Sequence, residues 1–266
     1  MLQPARFAGT EQTLLTKAHA FWQDFSQAVA QVAPSRGDLK RIEKRRLIVF
    51  LDSDAQLLRA NGYIVRVRRA LGGRRADITL KFRHPDRYVA ESRRLKDRRA
   101  RTTSKFEEDI KAPFASFYSL SFCGEVSSKR NPSTVGDVVL FFPGLEKRFD
   151  AAEATQRVTE VNGLTSRELV ITGGSLQIDS NLKTYAECAL IVWYDENGSN
   201  TAPVAVEFSY RYGDAAEKYR GRSARRAHDV FQVLQNDLGS WVDPNSRTKT
   251  ALVYEYSTTA PVAAVP

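Results

Sequence analysis

Three segments of this 266-residue chain carry charged side chains at a spacing of two. In Tyr63-Ile64-Val65-Arg66-Val67-Arg68 the arginines share one face and the valines the other. In Asp77-Ile78-Thr79-Leu80-Lys81-Phe82-Arg83 the polar face is Asp77, Thr79, Lys81 and Arg83. In Lys105-Phe106-Glu107-Glu108-Asp109-Ile110-Lys111 it is Lys105, Glu107, Asp109 and Lys111. A fourth segment places Glu207, Ser209 and Arg211 in the same way. Arginine and lysine suit phosphate oxygens, the first as a planar fork and the second as a point charge. Carboxylates beside them suit Mg²⁺ or Mn²⁺, which bind oxygen ligands together with substrate phosphates. An alternative stays open at this point: Glu107 and Asp109 could simply pair with Arg66, Arg68 and Lys81.

Alternation at period two is the mark of antiparallel strands with one buried face. Further strands are expected at Leu47–Leu51, Glu168–Thr172, Leu176–Asp179, Tyr185–Tyr194 and Val204–Tyr212. An apolar stripe from Leu14 to Val32 predicts a helix over 10–33, broken by Pro34. A second long helix is expected over about 214–238. Asp52 and Asp54 read as caps of a short helix over Ala55–Ala60, ended by Asn61-Gly62. The stretch 112–166 shows only weak signals. If the apolar strand faces pack outward against helices, the charged faces point into the middle of a closed sheet. Such an interior holds a charged ligand or many ion pairs, because unpaired burial of charge is prohibitive.

The net charge of +9 is unevenly distributed. Residues 36–111 hold 23 Lys and Arg against 11 Asp and Glu, which is +12, and the remainder is −3. That field attracts polyanions. Segment 86–101 alone has seven Arg or Lys and reads as an exposed hairpin extension or loop. No run of about 18 apolar residues is present, so no membrane span is expected. Two cysteines, Cys123 and Cys188, make neither a disulfide framework nor a four-cysteine zinc site, and both are expected as core residues. A cytoplasmic setting fits this composition. His19, His84 and His228 show no ligand spacing. No Gly-rich phosphate loop or Ser-His-Asp pattern occurs.

The ordered set of strands resembles the CYTH, or triphosphate tunnel metalloenzyme, superfamily. Phe50–Ser53 loosely matches that family's aromatic-Asp-Thr segment. Arg66 and Arg68 match its Arg-x-Arg strand, Thr79 and Lys81 its Thr-x-Lys strand, and Lys105, Glu107 and Asp109 its Arg-x-Glu-x-Glu strand. Glu207 sits where the family has a carboxylate-bearing strand, and Arg247-Thr248-Lys249 near its Ser-Lys position. The resemblance covers about 45–255, with the middle unaligned. It implies an α+β fold: an antiparallel eight-stranded β-barrel or tunnel with flanking helices. It implies a triphosphate or polyphosphate ligand gripped by Arg66, Arg68, Lys81, Lys105, Arg211 and Lys249. It also implies a divalent metal, Mg²⁺ or Mn²⁺, on Glu107, Asp109 and Glu207.

One departure bears on activity. The family's Glu-x-Glu-x-Lys first strand is not found before Asp52, and Ser209 stands where a second carboxylate would follow Glu207. The phosphate-gripping half is kept and the metal-holding half is eroded, so binding is expected, with hydrolysis weak or lost and no catalytic residue assigned. The second reading is a nucleic-acid-binding protein using the basic 86–101 segment with Tyr63 and Tyr88 nearby. The domain organisation expected is an N-terminal helix in 1–35 packing on a barrel in 36–256, with 112–166 as an insertion and 257–266 as a disordered tail.

Overall fold

The computed structural model describes residues 1–93, 103–127, 131–181, 183–212, 221–245 and 247–257. Its strands are β1 (Ser35–Ser53), β2 (Tyr63–Ala70), β3 (Arg75–His84), β4 (Thr103–Lys111), β5 (Ala115–Ser127), β6 (Val158–Asp179), β7 (Thr184–Asp195) and β8 (Ala205–Arg211). Its helices are α1 (Glu11–Ala28), α2 (Leu57–Ala60), α3 (Arg87–Ser92), α4 (Val135–Phe141), α5 (Ala151–Ala154), α6 (Gly221–Asn236) and α7 (Lys249–Glu255). The strands form an antiparallel sheet in the order β4-β5-β3-β2-β1-β6-β7-β8. This is the expected α+β class with eight strands and flanking helices. The sheet is open, with β4 and β8 as its ends, rather than hydrogen-bonded into a ring among the described residues.

The chain divides into two compact units. The first contains 1–45, 112–114 and 167–248. Its core is built on α1, whose start is capped by Thr10 Oγ1 accepting from Thr13 N at 3.3 Å. Leu14, Ala18, Phe21, Trp22 and Phe25 recur along one face of that helix and are buried. They pack on Leu169, Ile171, Leu190, Val192 and Val206 of the sheet and on Val230 and Leu234 of α6. Edge-to-face aromatic contacts tighten the packing, with Phe208 4.8 Å from Phe25 and 5.0 Å from Phe21 between centroids.

The second unit contains 46–111, 115–166 and 249–266, of which 258–266 lie outside the described residues. Here Val49, Val65, Val67, Ile78, Leu80, Leu120 and Phe122 form one buried strand face. It is covered by Val135 and Val138 of α4 and by Phe142 and Leu145 beyond it. A reciprocal cap between Thr134 and Asp137 starts α4.

Several expectations change. β1 begins at Ser35, twelve residues before the apolar run that announced it. Its first half, Lys40-Arg41-Ile42-Glu43-Lys44, is too charged to show an apolar alternation, yet it is strand. The segment 112–166 supplies β5, which pairs with both β3 and β4, so this stretch is part of the sheet rather than an insertion. The two short strands expected at 168–179 belong to one long β6. Residues 94–101 of the Arg-rich segment, 213–220 before α6 and the tail from 258 lie outside the described residues.

Candidate phosphate-binding site

Strand register places Arg66, Arg68, Lys81, Arg83, Lys105, Glu107 and Asp109 of the second unit on one face. Arg66 lies opposite Thr79 and Arg68 opposite Asp77 across β2 and β3. Thr79, Lys81 and Arg83 lie opposite Cys123, Ser121 and Ser119 of β5. On the other side of β5, Ser121 faces Lys105 and Ser119 faces Glu107. Directly opposed residues share a sheet face. The other face is the buried one against α4, so the pleat sends every one of these polar side chains the opposite way. The two arginines and Lys81 are partly buried, whereas Lys105 is exposed.

The missed strand β5 shapes this surface. Ser119, Ser121 and Cys123 are small, and they run between two strands whose side chains are long. The side chains of β3 and β4 therefore meet above β5. Lys81 Nζ donates to Asp109 Oδ2 at 3.0 Å, and Arg83 Nη2 donates to the same oxygen at 2.7 Å. Ser119 Oγ donates to it at 3.4 Å. Lys105 Nζ lies 2.6 Å from Glu107 Oε1. Burial alone would raise the Asp109 carboxyl, but Lys81 and Arg83 beside it hold it below its ordinary value. Burial lowers the Lys81 ammonium in spite of Asp109. The alternative left open in the sequence is thus realised in part: Asp109 pairs with Lys81, which that alternative named, and with Arg83, which it did not. Arg83 shares the alternating face of β3 but lies outside the Thr-x-Lys match that names Thr79 and Lys81. Ser119 carried no signal, because its strand was not recognised.

The remaining expected site residues are placed elsewhere. Glu207 and Arg211 are on β8 in the first unit. Arg211 Nη2 donates to Glu187 Oε2 at 2.9 Å, as an exposed surface pair. Lys249 opens α7 in the second unit. A buried carboxylate that was not singled out, Glu168, accepts from Trp193 Nε1 at 2.9 Å in the first unit. It lies in the apolar run Glu168-Leu169-Val170-Ile171, and that single acid in an apolar strand was the available signal.

The donor set does not fit a divalent cation. Among the described residues, no three His, Cys, Asp or Glu side chains gather where they could hold one. Asp109 is engaged by two cations and a hydroxyl, and Glu107 is beside Lys105. Asp52, the family-like acid, is buried and fully used as a cap. Its Oδ1 accepts from Ser53 N and Leu58 N at 2.8 and 2.9 Å, and its Oδ2 from Arg59 N and the Tyr254 hydroxyl at 3.0 and 2.9 Å. That agrees with its expected capping role.

Other expectations divide. Cys188 is a core residue whose thiol burial pushes up to about 12. Cys123 is not core: it sits on the charged face, where Thr79 Oγ1 lies 3.7 Å from its sulfur. Tyr63 is buried against Phe82 and offers no face to a base, while Tyr88 is exposed. His19 pairs with Asp38, His84 accepts from Asp86 N, and His228 contacts Asp229, so the three histidines belong to separate local contacts. No helix among the described residues is long and apolar enough to cross a membrane.

No protein-family model matches this sequence, and no curated protein matches it. Among solved structures the chain is similar to a Hippeastrum protein, assigned provisionally as an adenylyl cyclase and described as having a dominant triphosphatase activity. The identity is 11% and the TM-score 0.45, over 92% of this chain and 91% of that one. It is also similar to a Bacillus halodurans protein assigned provisionally as an adenylate cyclase, at 11% identity and a TM-score of 0.39, over 86% of this chain and 90% of that one. What the charged face does has to come from its own residues. The structure places the Arg-x-Arg segment on β2 and the Thr-x-Lys segment on β3, in an eight-stranded antiparallel sheet with flanking helices, which is the fold that the resemblance to the CYTH superfamily implies.

Proposed function

We propose that the charged face of the second unit binds a triphosphate or polyphosphate chain directly through its cations, with hydrolysis weak or absent. One observation carries this reading. Lys81 and Arg83 converge on a single acceptor oxygen at 3.0 and 2.7 Å, with Arg66 and Arg68 following on the same sheet face. Those lengths belong to charge-assisted hydrogen bonds, which are about twice as strong as neutral ones. Partial burial strengthens them further, because water screens them less. A row of cations along adjacent strands matches a linear chain of phosphate groups better than it matches an isolated anion. Lys105 and Lys249 extend the proposed binding set, and Arg211, in the first unit, is left out of it. The carboxylates Glu107, Asp109 and Glu207 are assigned no metal role here, because the donor set does not fit one.

The test is isothermal titration calorimetry with tripolyphosphate, in EDTA and then in Mg²⁺ or Mn²⁺, beside phosphate release from tripolyphosphate and ATP. Saturable binding in EDTA with little phosphate release supports the proposal. Rapid turnover lost in Glu107→Ala would overturn the assignment of a weak or absent hydrolase. A single-stranded RNA that competes with tripolyphosphate at equal phosphate concentration would move the reading toward nucleic acid, with affinity falling steeply in salt.

A further inference from the structure

Asp109 is the residue whose placement the phosphate site does not by itself explain. It projects from β4, and its backbone partner across the ladder is Phe117 of β5, not Ser119. Glu107 is the acid directly opposed to Ser119, yet Glu107 lies against Lys105 on its own strand. Asp109 instead reaches over β5 to take hydrogen bonds from Lys81, Arg83 and Ser119 on one oxygen, Oδ2. That oxygen has the charge, the donors and the distances that a phosphate oxygen would have in the same place. Arg83 meanwhile keeps a buried Nε without a hydrogen-bond partner. A carboxylate oxygen engages one arm of the guanidinium, whereas a phosphate group with several oxygens can engage two.

We infer that Asp109 is an internal competitor for this site, its carboxylate standing in for a phosphate oxygen that an incoming phosphate chain must displace. The inference rests on the proposed phosphate site and deepens it by assigning Asp109 a role opposite in sign to that of a metal ligand. A metal ligand or a positioning carboxylate weakens ligand binding when it is removed. A competitor strengthens it. The held carboxylate also keeps Lys81 and Arg83 from facing each other uncompensated when no ligand is bound.

The experiment is calorimetric titration of tripolyphosphate in EDTA against the full chain, Asp109→Asn and Glu125→Gln. Glu125 lies far along β5, paired with Arg75 and opposite Asp77. Its neutralisation changes the net charge by the same amount without freeing Lys81 or Arg83. Asp109→Asn is expected to bind at least about tenfold more tightly, and Glu125→Gln to change affinity by less than about threefold. Unchanged or weaker binding by Asp109→Asn, with binding by the unsubstituted chain intact, overturns the inference and leaves the phosphate site standing. Equal tightening in both variants also overturns it, since bulk charge would then account for the gain. No binding by any of the three removes the phosphate site itself. If Asp109→Asn does not fold, Asp109→Ser takes its place, with the same tightening required and the same results overturning the inference.

Discussion

On β8, Glu207, Ser209 and Arg211 alternate as regularly as Thr79, Lys81 and Arg83 do on β3. Their neighbours differ. The strand beside β8 presents Ile191, Ala189 and Glu187 opposite them. Arg211 pairs with Glu187 in the open, their side chains 70% and 76% exposed. Pairs of that kind contribute little, because water screens them and two long side chains lose freedom. The strands beside β3 present Arg66 opposite Thr79 and Ile64 opposite Lys81 on one side, with Arg68 one pair further on, and Cys123, Ser121 and Ser119 on the other. The Lys81 and Asp109 side chains there are 20% and 36% exposed. An alternating charge pattern therefore does not define a site by itself. The strand it pairs with decides whether the charges are neutralised one by one at the surface or gathered where a ligand can use them.

The largest effect that would break this comparison is on ligand binding. Arg66→Ala with Lys81→Ala is expected to weaken tripolyphosphate binding by about a hundredfold or more, since each charge-assisted hydrogen bond contributes on the order of 1.5–3 kcal/mol. Titration of the double variant checks it, and retained affinity would place the site elsewhere. Next comes a carboxylate assigned to structure alone. Asp52→Ala leaves the buried Leu58 N–H and Tyr254 hydroxyl without their acceptor, so a loss of about 3 kcal/mol in folding stability is expected in urea titration. Tripolyphosphate affinity measured where the variant is folded should stay within about threefold.

A smaller effect concerns pH. Burial holds the Lys81 ammonium below its ordinary value of 10.5. Between the lowered folded value and 10.5 the unfolded chain binds more protons than the folded one, so stability rises with pH across that window. Binding moves the other way, because the ammonium is lost from the site. Tripolyphosphate affinity should decline on the alkaline side at a pH below that of an ordinary lysine, and Lys81→Arg should postpone the decline. A Lys81→Arg profile that coincides with that of the unsubstituted chain would remove Lys81 from the binding set. The smallest effect sharpens the other half of the comparison. Arg211→Ala should change affinity for tripolyphosphate by less than about twofold and leave thermal unfolding almost unmoved, as a solvated pair requires.

The sequence carried the alternation of β2, β3, β4 and β8 because one face of each is apolar, and burial of that face is what the pattern encodes. It did not carry β5. Its polar face is serine and cysteine, and its apolar face is Leu120, Phe122 and Val126, three residues in a stretch punctuated by Gly124 and two prolines nearby. The start of β1 was hidden for the opposite reason. Glu43 and Arg45 are held by partners distant in sequence, with Glu43 accepting from Thr172 and Arg45 donating to Glu11. Such contacts have no local signature. The pairing of Asp109 was foreseen as one alternative, but its partner Arg83 and the serine beneath it could be found only once β5 was seen to lie between β3 and β4.

The central claim is that cations on the second unit's sheet grip a phosphate chain without a metal intermediary. Calorimetric titration of tripolyphosphate in EDTA, on the unsubstituted chain and on the Arg66→Ala and Lys81→Ala double variant, tests it most directly. The account predicts saturable binding by the first and loss of binding in the second. Heat that appears only when Mg²⁺ or Mn²⁺ is added, or equal binding by both proteins, would contradict it.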